Sequence, residues 1–366
     1  MVRLHNSRRF LRKLFSPLDP VMVAILILIS MISLVTMYSA STDRPDRFAQ
    51  HIRNLVLCWG VIVALAYTPP KVFMRAAVPV YVSGVVLLVA VALFGEVRLG
   101  ARRWIFGFQP SELLKIGVPM MIAFYFHNLG NVQGRQLWKA FGVATMLFVI
   151  PFLLIARQPD LGTGLLVAAA GTYVVYYAGL SWRVIGALIG VAVVSLPLVY
   201  NFLLHDYQRR RVDVLLNPME DPRGTGFHIL QARTAIGSGG WLGKGWMDGT
   251  QAQLQFIPEK STDFLLAVYA EEFGLIGVLL LLVLYLALIS RALSIAHQGQ
   301  TRFDRLLAGS LAMIIFTYVF VNMGMVGGIL PVVGVPLPFM SYGGTALITL
   351  GVACGMLMSI RHHRIR

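Results

Sequence analysis

Three carboxylates in this chain stand near the start of apolar stretches, where a charged side chain can do chemistry at a membrane edge. Glu112 and Asp160 each lie within two residues of a proline, and Asp263 closes the polar run that begins at Glu259. An ionised carboxylate in such a position can take a proton from a substrate hydroxyl as a general base. The simpler interpretation is that each acid caps the positive end of a helix. Both interpretations stay open on spacing alone.

Glu112 has a basic neighbour, Lys115, three residues later and therefore on the same face of a helix. An exposed pair of this kind stabilises a helix by only about 0.2–0.5 kcal/mol. A single charge deep in a membrane span costs roughly 2.5–3.5 kcal/mol. If the pair lies deep, stability does not justify it, and we expect Glu112 and Lys115 to line a polar cavity shared with Asp263.

Further charged candidates follow the same logic. Glu271 lies eight residues after Asp263, which predicts that both occupy one face of one helix, and acids inside a span are functional candidates. Lys244 follows Gly243 as in a phosphate loop, but Ser238 and Gly245 stand where that motif needs glycine and Ser/Thr. Nucleotide hydrolysis is therefore excluded, and Lys244 is kept as a substrate-binding candidate.

Arginines are clustered at Arg102-Arg103 and at Arg209–Arg211. Attraction to lipid headgroups explains such clusters without any specific site. The alternative is recognition of a phosphate-bearing substrate, because the arginine fork donates two parallel hydrogen bonds. We predict that Arg103, Arg209 and Arg211 hold substrate phosphates. No metal-binding pattern is present, since there is neither a His-Glu-x-x-His motif nor an Asp-x-Asp pair, although a divalent cation is left open.

The composition defines the kind of protein that must position these side chains. Of 366 residues, 57% are apolar and only 13% are charged, with a mean hydropathy of +0.73. A soluble domain is typically about 25% charged, so soluble, disordered and fibrous proteins are excluded. The net charge of +15 is assigned to orientation and acidic headgroups rather than to nucleic acid. Cys58 and Cys354 lie in apolar runs and are expected to be buried, inert thiols.

Apolar runs predict an all-α polytopic membrane protein with ten transmembrane helices, treated as a single domain over residues 1–366. The first run is too long for a typical signal peptide and is interpreted as a retained anchor. The short second and fourth runs are expected to be extended by their polar flanks. The ten segments are Val21–Tyr38, Leu55–Thr68, Ala76–Phe94, Leu113–Phe126, Ala140–Ala156, Leu161–Leu180, Val184–Leu204, Phe264–Ser290, Leu306–Leu330 and Phe339–Ile360.

The distribution of charge predicts the orientation. With ten spans, the termini and the loops on their side hold 16 Lys and Arg, against seven in the short loops opposite. The positive-inside rule therefore places both termini in the cytoplasm. The long connection His205–Thr262, between the seventh and eighth spans, then lies outside, with an amphipathic helix expected over Phe227–Ile236. Fourteen of the 16 acids fall outside the cytoplasm, which suggests chemistry on the outer side.

Six motifs in the chain resemble those of the SEDS family (shape, elongation, division and sporulation proteins). The resemblance runs from the first span to the last, and the final motif is long and specific. The loop around Asp206–Arg211 is more similar to the elongation branch of the family than to the division branch. The motifs are Gln109–Lys115, Gln158–Thr163, His205–Arg209, Gly237–Gly240, Thr262–Phe264 and Pro331–Thr345, which includes Ser341.

The resemblance implies a peptidoglycan glycosyltransferase that polymerises lipid II at the outer face of the bacterial inner membrane during cell elongation. Its expected partners are a class B penicillin-binding protein and other membrane proteins of the elongation complex. The family's essential aspartate falls on Asp263, its membrane-edge pair on Glu112 and Lys115, and its Arg-Trp arginine on Arg103. Ser261 stands where relatives often carry histidine, which puts one local hydrogen bond in doubt.

Two other functions remain as alternatives. A flippase for the lipid-linked precursor predicts polar residues along a path through both leaflets, whereas here they cluster on the outer side. A non-catalytic scaffold for the penicillin-binding protein leaves Asp263, Glu112 and Lys115 without a role.

A lipid diphosphate already carries a good leaving group, so the enzyme needs no nucleotide motif. It needs only a base and cations for the departing diphosphate.

Overall fold

The computed structural model describes residues 16–98, 101–105, 109–130, 132–204, 206–221, 224–254, 256–257 and 259–364. The described chain is almost entirely helical. Its helices are α1 (Pro20–Ala40), α2 (Pro45–Tyr67), α3 (Pro70–Phe94), α4 (Pro110–Leu129), α5 (Gly134–Ala156), α6 (Leu161–Tyr177), α7 (Trp182–Leu198), α8 (Asp206–Leu216), α9 (Thr225–Ser238), α10 (Thr250–Gln253), α11 (Leu265–His297), α12 (Arg302–Val326) and α13 (Gly344–His362).

Eight of the described helices are long and apolar enough to cross a membrane, namely α1, α2, α3, α5, α7 with its continuation to Phe202, α11, α12 and α13. The chain is therefore a multi-pass membrane protein. The other two predicted segments also form helices, but α6 has only 17 residues and α4 carries the Glu112–Lys115 pair. The predicted count of ten spans thus stays a prediction.

One element contradicts the all-helical expectation. Glu96–Arg98 (β1) pairs antiparallel with Ala101–Trp104 (β2) in a short hairpin between α3 and α4. The hairpin is small enough that apolar periodicity gave no sign of it. It matters for function because β2 ends with Arg103 and Trp104.

Proline sets the start of several helices. Pro20, Pro45, Pro70 and Pro110 each occupy the first turn, where the missing N–H group has no partner to lose. Residues 45–54 extend α2 before its apolar core, and Pro110–Glu112 extend α4 by about one turn, as expected from their polar flanks. Asp19 caps α1 by accepting a hydrogen bond from the Met22 amide at 2.8 Å.

The helices α12 and α13 lie at the centre of the bundle. α12 contacts α4, α6 and α11, while α13 packs along α2. Cys58 of α2 and Cys354 of α13 are both buried, as predicted. At one end of the bundle the Asp19 carboxylate receives Arg291 of α11 and Arg361 of α13, each at 2.6 Å, and so joins the first helix to the last.

In contrast, α7 contributes little to the core. None of the described side chains in its most apolar stretch is buried, and Val194 is 79% exposed. Such a helix is stable only with lipid or another protein around it.

The segment predicted outside the membrane, 205–262, contains α8, α9, α10 and their loops, while His205 itself lies outside the described residues. A helix does cover Phe227–Ile236, within α9, but its apolar and polar side chains are not segregated to opposite faces, so the predicted amphipathic character is not confirmed. α9 packs against α11, so this segment is part of the bundle rather than a separate unit.

The loop after α9 supplies hydrogen-bond partners for the backbone at a break in α11. Gly274 has φ +64 inside α11, which leaves helical hydrogen bonds unmade there. The amides of Leu275 and Ile276 donate to the carbonyls of Gly240 and Trp241 at 2.9 and 3.1 Å. In the other direction, the Lys244 amide donates to the Glu271 carbonyl at 3.0 Å. The backbone groups at the break are thus paired, as an apolar surrounding requires.

Candidate functional site

Asp263 lies in the tight turn 259–264 that precedes α11, not in the helix itself. The amides of Thr262 and Phe264 both donate to the Glu259 carbonyl, at 3.1 and 3.3 Å, which closes the turn. α11 begins at Leu265. The prediction that Asp263 and Glu271 share one helix face is therefore wrong, because the polar run folds as a turn and helical spacing does not apply across it.

One neighbour holds the backbone of Asp263, and another lies against its carboxylate. The Asn322 side-chain amide of α12 donates to the Asp263 carbonyl at 2.9 Å and to the Val335 carbonyl at 2.8 Å. Gly334 adopts φ +77, and a Cβ added to it would lie 3.6 Å from the Asp263 carboxylate. The carboxylate therefore faces the loop between α12 and α13, which contains the long motif.

The surroundings of Asp263 change its acidity. Burial, together with the negative charge of Glu259, raises the pKa of Asp263 from 3.8 to about 6. At neutral pH the carboxylate is still mostly ionised, yet it binds a proton far more readily than an exposed aspartate. A general base works best when its pKa lies near the operating pH. Asp263 is thus poised to accept and release a proton.

The loop 331–343 also holds the turn from its other side. The Tyr342 amide donates to the Ser261 carbonyl at 2.9 Å. Ser341, a predicted substrate-contact residue, is 2% exposed and accepts a hydrogen bond from the Leu337 amide at 3.0 Å. Tyr285 of α11 donates to the Pro338 carbonyl at 2.6 Å. In this structure Ser341 shapes the loop that faces Asp263.

Glu112 and Lys115 form a buried cluster, as their spacing predicted. The Lys115 ammonium lies 2.6 Å from both the Glu112 carboxylate and the Tyr318 hydroxyl, and Thr349 donates to Glu112 at 3.0 Å. The Glu112 and Lys115 side chains are only 7% and 4% exposed. The cluster thus joins α4, α12 and α13, and the pair faces protein rather than lipid.

The helix α12 connects this cluster to Asp263. Tyr318, which contacts Lys115, and Asn322, which holds Asp263, are four residues apart and so lie on one face, about 6 Å apart along the axis. Glu112 lines an apolar cavity of about 320 Å³ together with Thr345 and Thr349 of α13. Asp263 is not among the residues that line this cavity, so the shared polar cavity stays a prediction.

A second, more polar cavity of about 200 Å³ adjoins the turn of Asp263. It is lined by Asp43, Arg44, Arg47, Lys260 and Ser261. Arg47 donates to the Ser261 hydroxyl at 2.7 Å, and Lys260 pairs with Asp43 at 3.0 Å. Three cations against one carboxylate make this cavity suited to an anion.

Asp160 and Arg103 meet at the start of α6. Asp160 caps the helix by accepting from the Thr163 amide at 3.2 Å, which supports the simple capping interpretation. Arg103 of β2 lies 3.8 Å from Asp160 and donates to the carbonyls of Gln158 and Pro159. The hairpin that the sequence did not predict is therefore what brings Arg103 to Asp160.

Lys244 and Glu271 bind each other. The ammonium of Lys244 lies 2.7 Å from the carboxylate of Glu271, which is fully buried. Glu271 also accepts from the Gln251 amide at 3.0 Å, so it ties the segment 205–262 to α11. Neither residue lines the cavities described above.

Two predicted phosphate ligands, Arg209 and Arg211, lie on α8. The Arg209 guanidinium donates to the Asn201 carbonyl at 2.6 Å. Its Nε is buried without a hydrogen-bond partner. Arg211 is half-buried on the same helix. The polar cavity beside the Asp263 turn is lined by Lys260, Arg44 and Arg47 and not by the predicted Arg209 or Arg211.

Sequence reasoning missed five residues of the site: Arg47, Lys260, Tyr318, Asn322 and Thr349. Only Arg47 and Lys260 could have been suspected from the sequence, since both are cations beside the predicted outer surface. The other three are single polar residues in apolar spans, and nothing in their spacing pointed to Asp263 or Glu112. Within the described residues, no group of three or more His, Cys, Asp or Glu side chains is arranged to hold a metal ion.

Comparison with known proteins identifies the family. The chain is 48% identical over 363 residues to the peptidoglycan glycosyltransferase MrdB of Escherichia coli (strain K12), covering 98% of this chain and 97% of that protein. It is 35% identical over 360 residues to a probable peptidoglycan glycosyltransferase FtsW of Geobacter metallireducens, covering 93% and 94% of the two chains.

Solved structures agree with the sequence relatives. A chain from a structure described as a peptidoglycan synthase complex that coordinates polymerization and crosslinking superposes with a TM-score of 0.81 at 29% identity, over 94% of this chain and 98% of that one. The rod shape determining protein RodA of Thermus thermophilus gives a TM-score of 0.71 at 26% identity, over 95% and 98%. The FtsW, RodA and SpoVE family, described as cell cycle proteins, matches residues 19–366. The chain therefore belongs to the SEDS family of cell cycle proteins, which includes FtsW, RodA and SpoVE.

Proposed function

We propose that this protein is a peptidoglycan glycosyltransferase of cell elongation, which polymerises lipid II into glycan strands at the outer face of the bacterial inner membrane. The observation that carries the proposal is Asp263, a half-buried carboxylate with a pKa of about 6, held by Asn322 at the start of α11. It acts as the general base that takes the proton of the acceptor sugar hydroxyl. Such assistance is typically worth about 10²–10⁴-fold in rate.

The two cavities described above suit the two ends of the donor substrate. The apolar cavity of about 320 Å³ beside Glu112 and Thr349 takes part of the lipid tail. The polar cavity beside Lys260, with Arg44 and Arg47, takes the diphosphate and stabilises its charge as it departs. The buried Glu112–Lys115 pair holds α4 against α12. It thereby fixes the boundary between the part of the site that takes the lipid tail and the part that takes the sugar.

The remaining predicted residues have supporting roles in this proposal. Arg103 and Asp160 fix the hairpin at the edge of the site, and Arg209 and Arg211 attract the anionic lipid substrate. The Lys244–Glu271 pair shapes the outer segment. Ser341 shapes the loop that faces Asp263. A divalent cation on the diphosphate remains compatible with the proposal, although the described residues offer no ready cluster of protein ligands.

The proposed topology has ten spans within one domain of residues 1–366, with both termini cytoplasmic and 205–262 outside. The charge distribution supports this orientation, because Asp263 and the polar cavity then face the side where glycan strands are made. The basic residues counted before Asp19 lie outside the described residues. A class B penicillin-binding protein is the proposed partner that cross-links the strands, together with other membrane proteins of the elongation complex.

A flippase or a non-catalytic scaffold explains the structure less well. A flippase needs polar groups along a path through both leaflets, whereas the polar cavity lies beside Asp43 and Lys260 at one end of the bundle. A scaffold has no use for a buried carboxylate whose pKa is raised, because burying that charge costs stability.

The test is polymerisation of labelled lipid II by the purified protein, with and without its penicillin-binding partner. Asp263→Asn should fold, insert and bind the partner, yet make no glycan strands. Asp248→Asn, which removes an exposed acid from the same outer segment, is the matched control and should polymerise normally. Polymerisation by Asp263→Asn at near wild-type rates would remove Asp263 from the mechanism, and loss of activity in both variants would show that acid removal alone is damaging.

A further inference from the structure

A cavity of about 430 Å³ lies at the opposite end of the bundle from Asp263, between the ends of three helices. Tyr177 ends α6, His297 ends α11, and Arg302 begins α12, and all three line this cavity. The Gln300 side chain donates to the His363 carbonyl at 3.2 Å, so this is the end at which α13 finishes. Its volume is in the usual range for small-ligand pockets, about 300–1,000 Å³.

The polar lining of this cavity is entirely basic. Arg302, Arg305 and His297 line it, and its lining includes no acid. The nearest carboxylate in sequence, Asp304, is engaged elsewhere, because it accepts from the Thr301 amide at 3.1 Å in a capping box. Within the described residues, the exposed Arg305 side chain makes no hydrogen bond or ion pair.

The two arginine charges at this helix end are only partly offset by the Asp304 carboxylate in the same turn. Arg302 and Arg305 occupy the first turn of α12, where the positive helix end disfavours cations. They are also three residues apart, so their like charges repel. Arg302 is nevertheless held in place, since it donates to the Gly130 carbonyl and its guanidinium carbon lies 5.6 Å from the Phe126 ring centroid. The anchored Arg302 and the exposed Arg305, both at a positive helix end, form a site for an anionic group.

The rest of the lining is apolar and lies where the spans begin. Leu293 and Leu306 form the walls together with Tyr177, and the apolar part of α12 begins directly after Arg305. A ligand here therefore meets cations at one end and an apolar, membrane-level surface at the other. A phospholipid has both parts, and basic pockets between transmembrane helices commonly bind anionic headgroups.

We propose that this cavity binds the phosphate of an anionic phospholipid headgroup, with Arg302 and Arg305 as its ligands. The lipid is a structural or regulatory ligand and not the substrate, since Asp263 and the polar cavity lie at the other end of the bundle. The inference does not depend on the proposed reaction.

The test is thermal unfolding of the purified, detergent-solubilised protein during titration with short-chain lipids. Dioctanoyl phosphatidylglycerol should raise the melting temperature saturably, whereas dioctanoyl phosphatidylcholine at equal concentration should not. Sodium phosphate at matched ionic strength is the arm for a free anion. The variant Arg302→Gln/Arg305→Gln should weaken the apparent affinity for phosphatidylglycerol at least tenfold.

The matched control is Arg135→Gln/Lys139→Gln, which removes the same charge from the first turns of α5 at exposed positions. It should keep the wild-type affinity. If the double Arg302 and Arg305 variant does not fold, Arg305→Glu alone changes an exposed side chain and should abolish the shift. An equal shift with phosphatidylcholine, an equal shift with phosphate alone, or equal loss in the control variant would each overturn the proposal.

Discussion

Asp263→Asn should make the protein more stable at neutral pH, in addition to removing its activity. An aspartate with a raised pKa binds its proton more tightly in the folded than in the unfolded chain. The folded state therefore loses stability as the pH rises from about 4 to about 6, and the loss persists above that range. The shift of the Asp263 pKa from 3.8 to about 6 corresponds to about 3 kcal/mol at neutral pH.

Asparagine keeps the shape and the backbone carbonyl that Asn322 holds, but it never ionises. Thermal unfolding of the purified variant at pH 7.5 should therefore show a melting temperature roughly 5 °C above wild type. At pH 4 the difference should vanish, because wild-type Asp263 is then mostly protonated. The control Asp248→Asn, an exposed acid of the outer segment, should leave the melting temperature unchanged at both pH values.

Two results would refute this reasoning. A melting temperature below wild type at pH 7.5 would mean that the ionised Asp263 carboxylate stabilises the fold through a partner that the structure does not reveal. An advantage of equal size at pH 4 and pH 7.5 would mean that shape, not charge, causes the difference.

Three further outcomes are expected. The polymerisation rate should fall about tenfold per pH unit below pH 6, as Asp263 becomes protonated. Glu259→Gln should move that fall to lower pH, because it removes the negative charge that helps to raise the pKa of Asp263. An unchanged pH profile in this variant would contradict the base assignment. Lys115→Met should lower the free energy of unfolding by about 3–5 kcal/mol, because it leaves Glu112 buried and unpaired. The double variant Glu112→Gln/Lys115→Met should lose clearly less. If the losses from the two substitutions simply added, the two residues would not be a coupled pair. Asp248→Cys should react with an impermeant thiol reagent in intact spheroplasts, against a background of buried native cysteines, and labelling only after lysis would reverse the proposed topology.

The sequence was sufficient for the features that depend on local pattern. Long apolar runs predicted the helices, and the three-residue spacing predicted that Glu112 and Lys115 would share a face. The distance between Asp263 and Glu271 was misinterpreted because helical spacing was applied across a turn whose closure depends on backbone hydrogen bonds to Glu259. Serine, threonine and aspartate suit both a helix and a turn, so the sequence did not distinguish them.

The partners of the site residues were beyond prediction for a different reason. Asn322 and Tyr318 are single polar residues in an apolar span, and their importance arises from which helices pack against α12. That packing joins positions about 60 and 200 residues apart in the chain. Similarly, β1 and β2 are too short for periodicity to reveal, yet they determine that Arg103 reaches Asp160.

The break in α11 at Gly274 has a consequence for how the protein is made. The amides of Leu275 and Ile276 find their acceptors in Gly240 and Trp241, which are synthesised earlier in the chain. Until that loop is docked, α11 enters the bilayer with unpaired amides, each of which costs several kcal/mol in hydrocarbon. Stable insertion of α11 therefore requires that the loop after α9 is already folded against it, so the order of synthesis along the chain matches the order of assembly in the membrane.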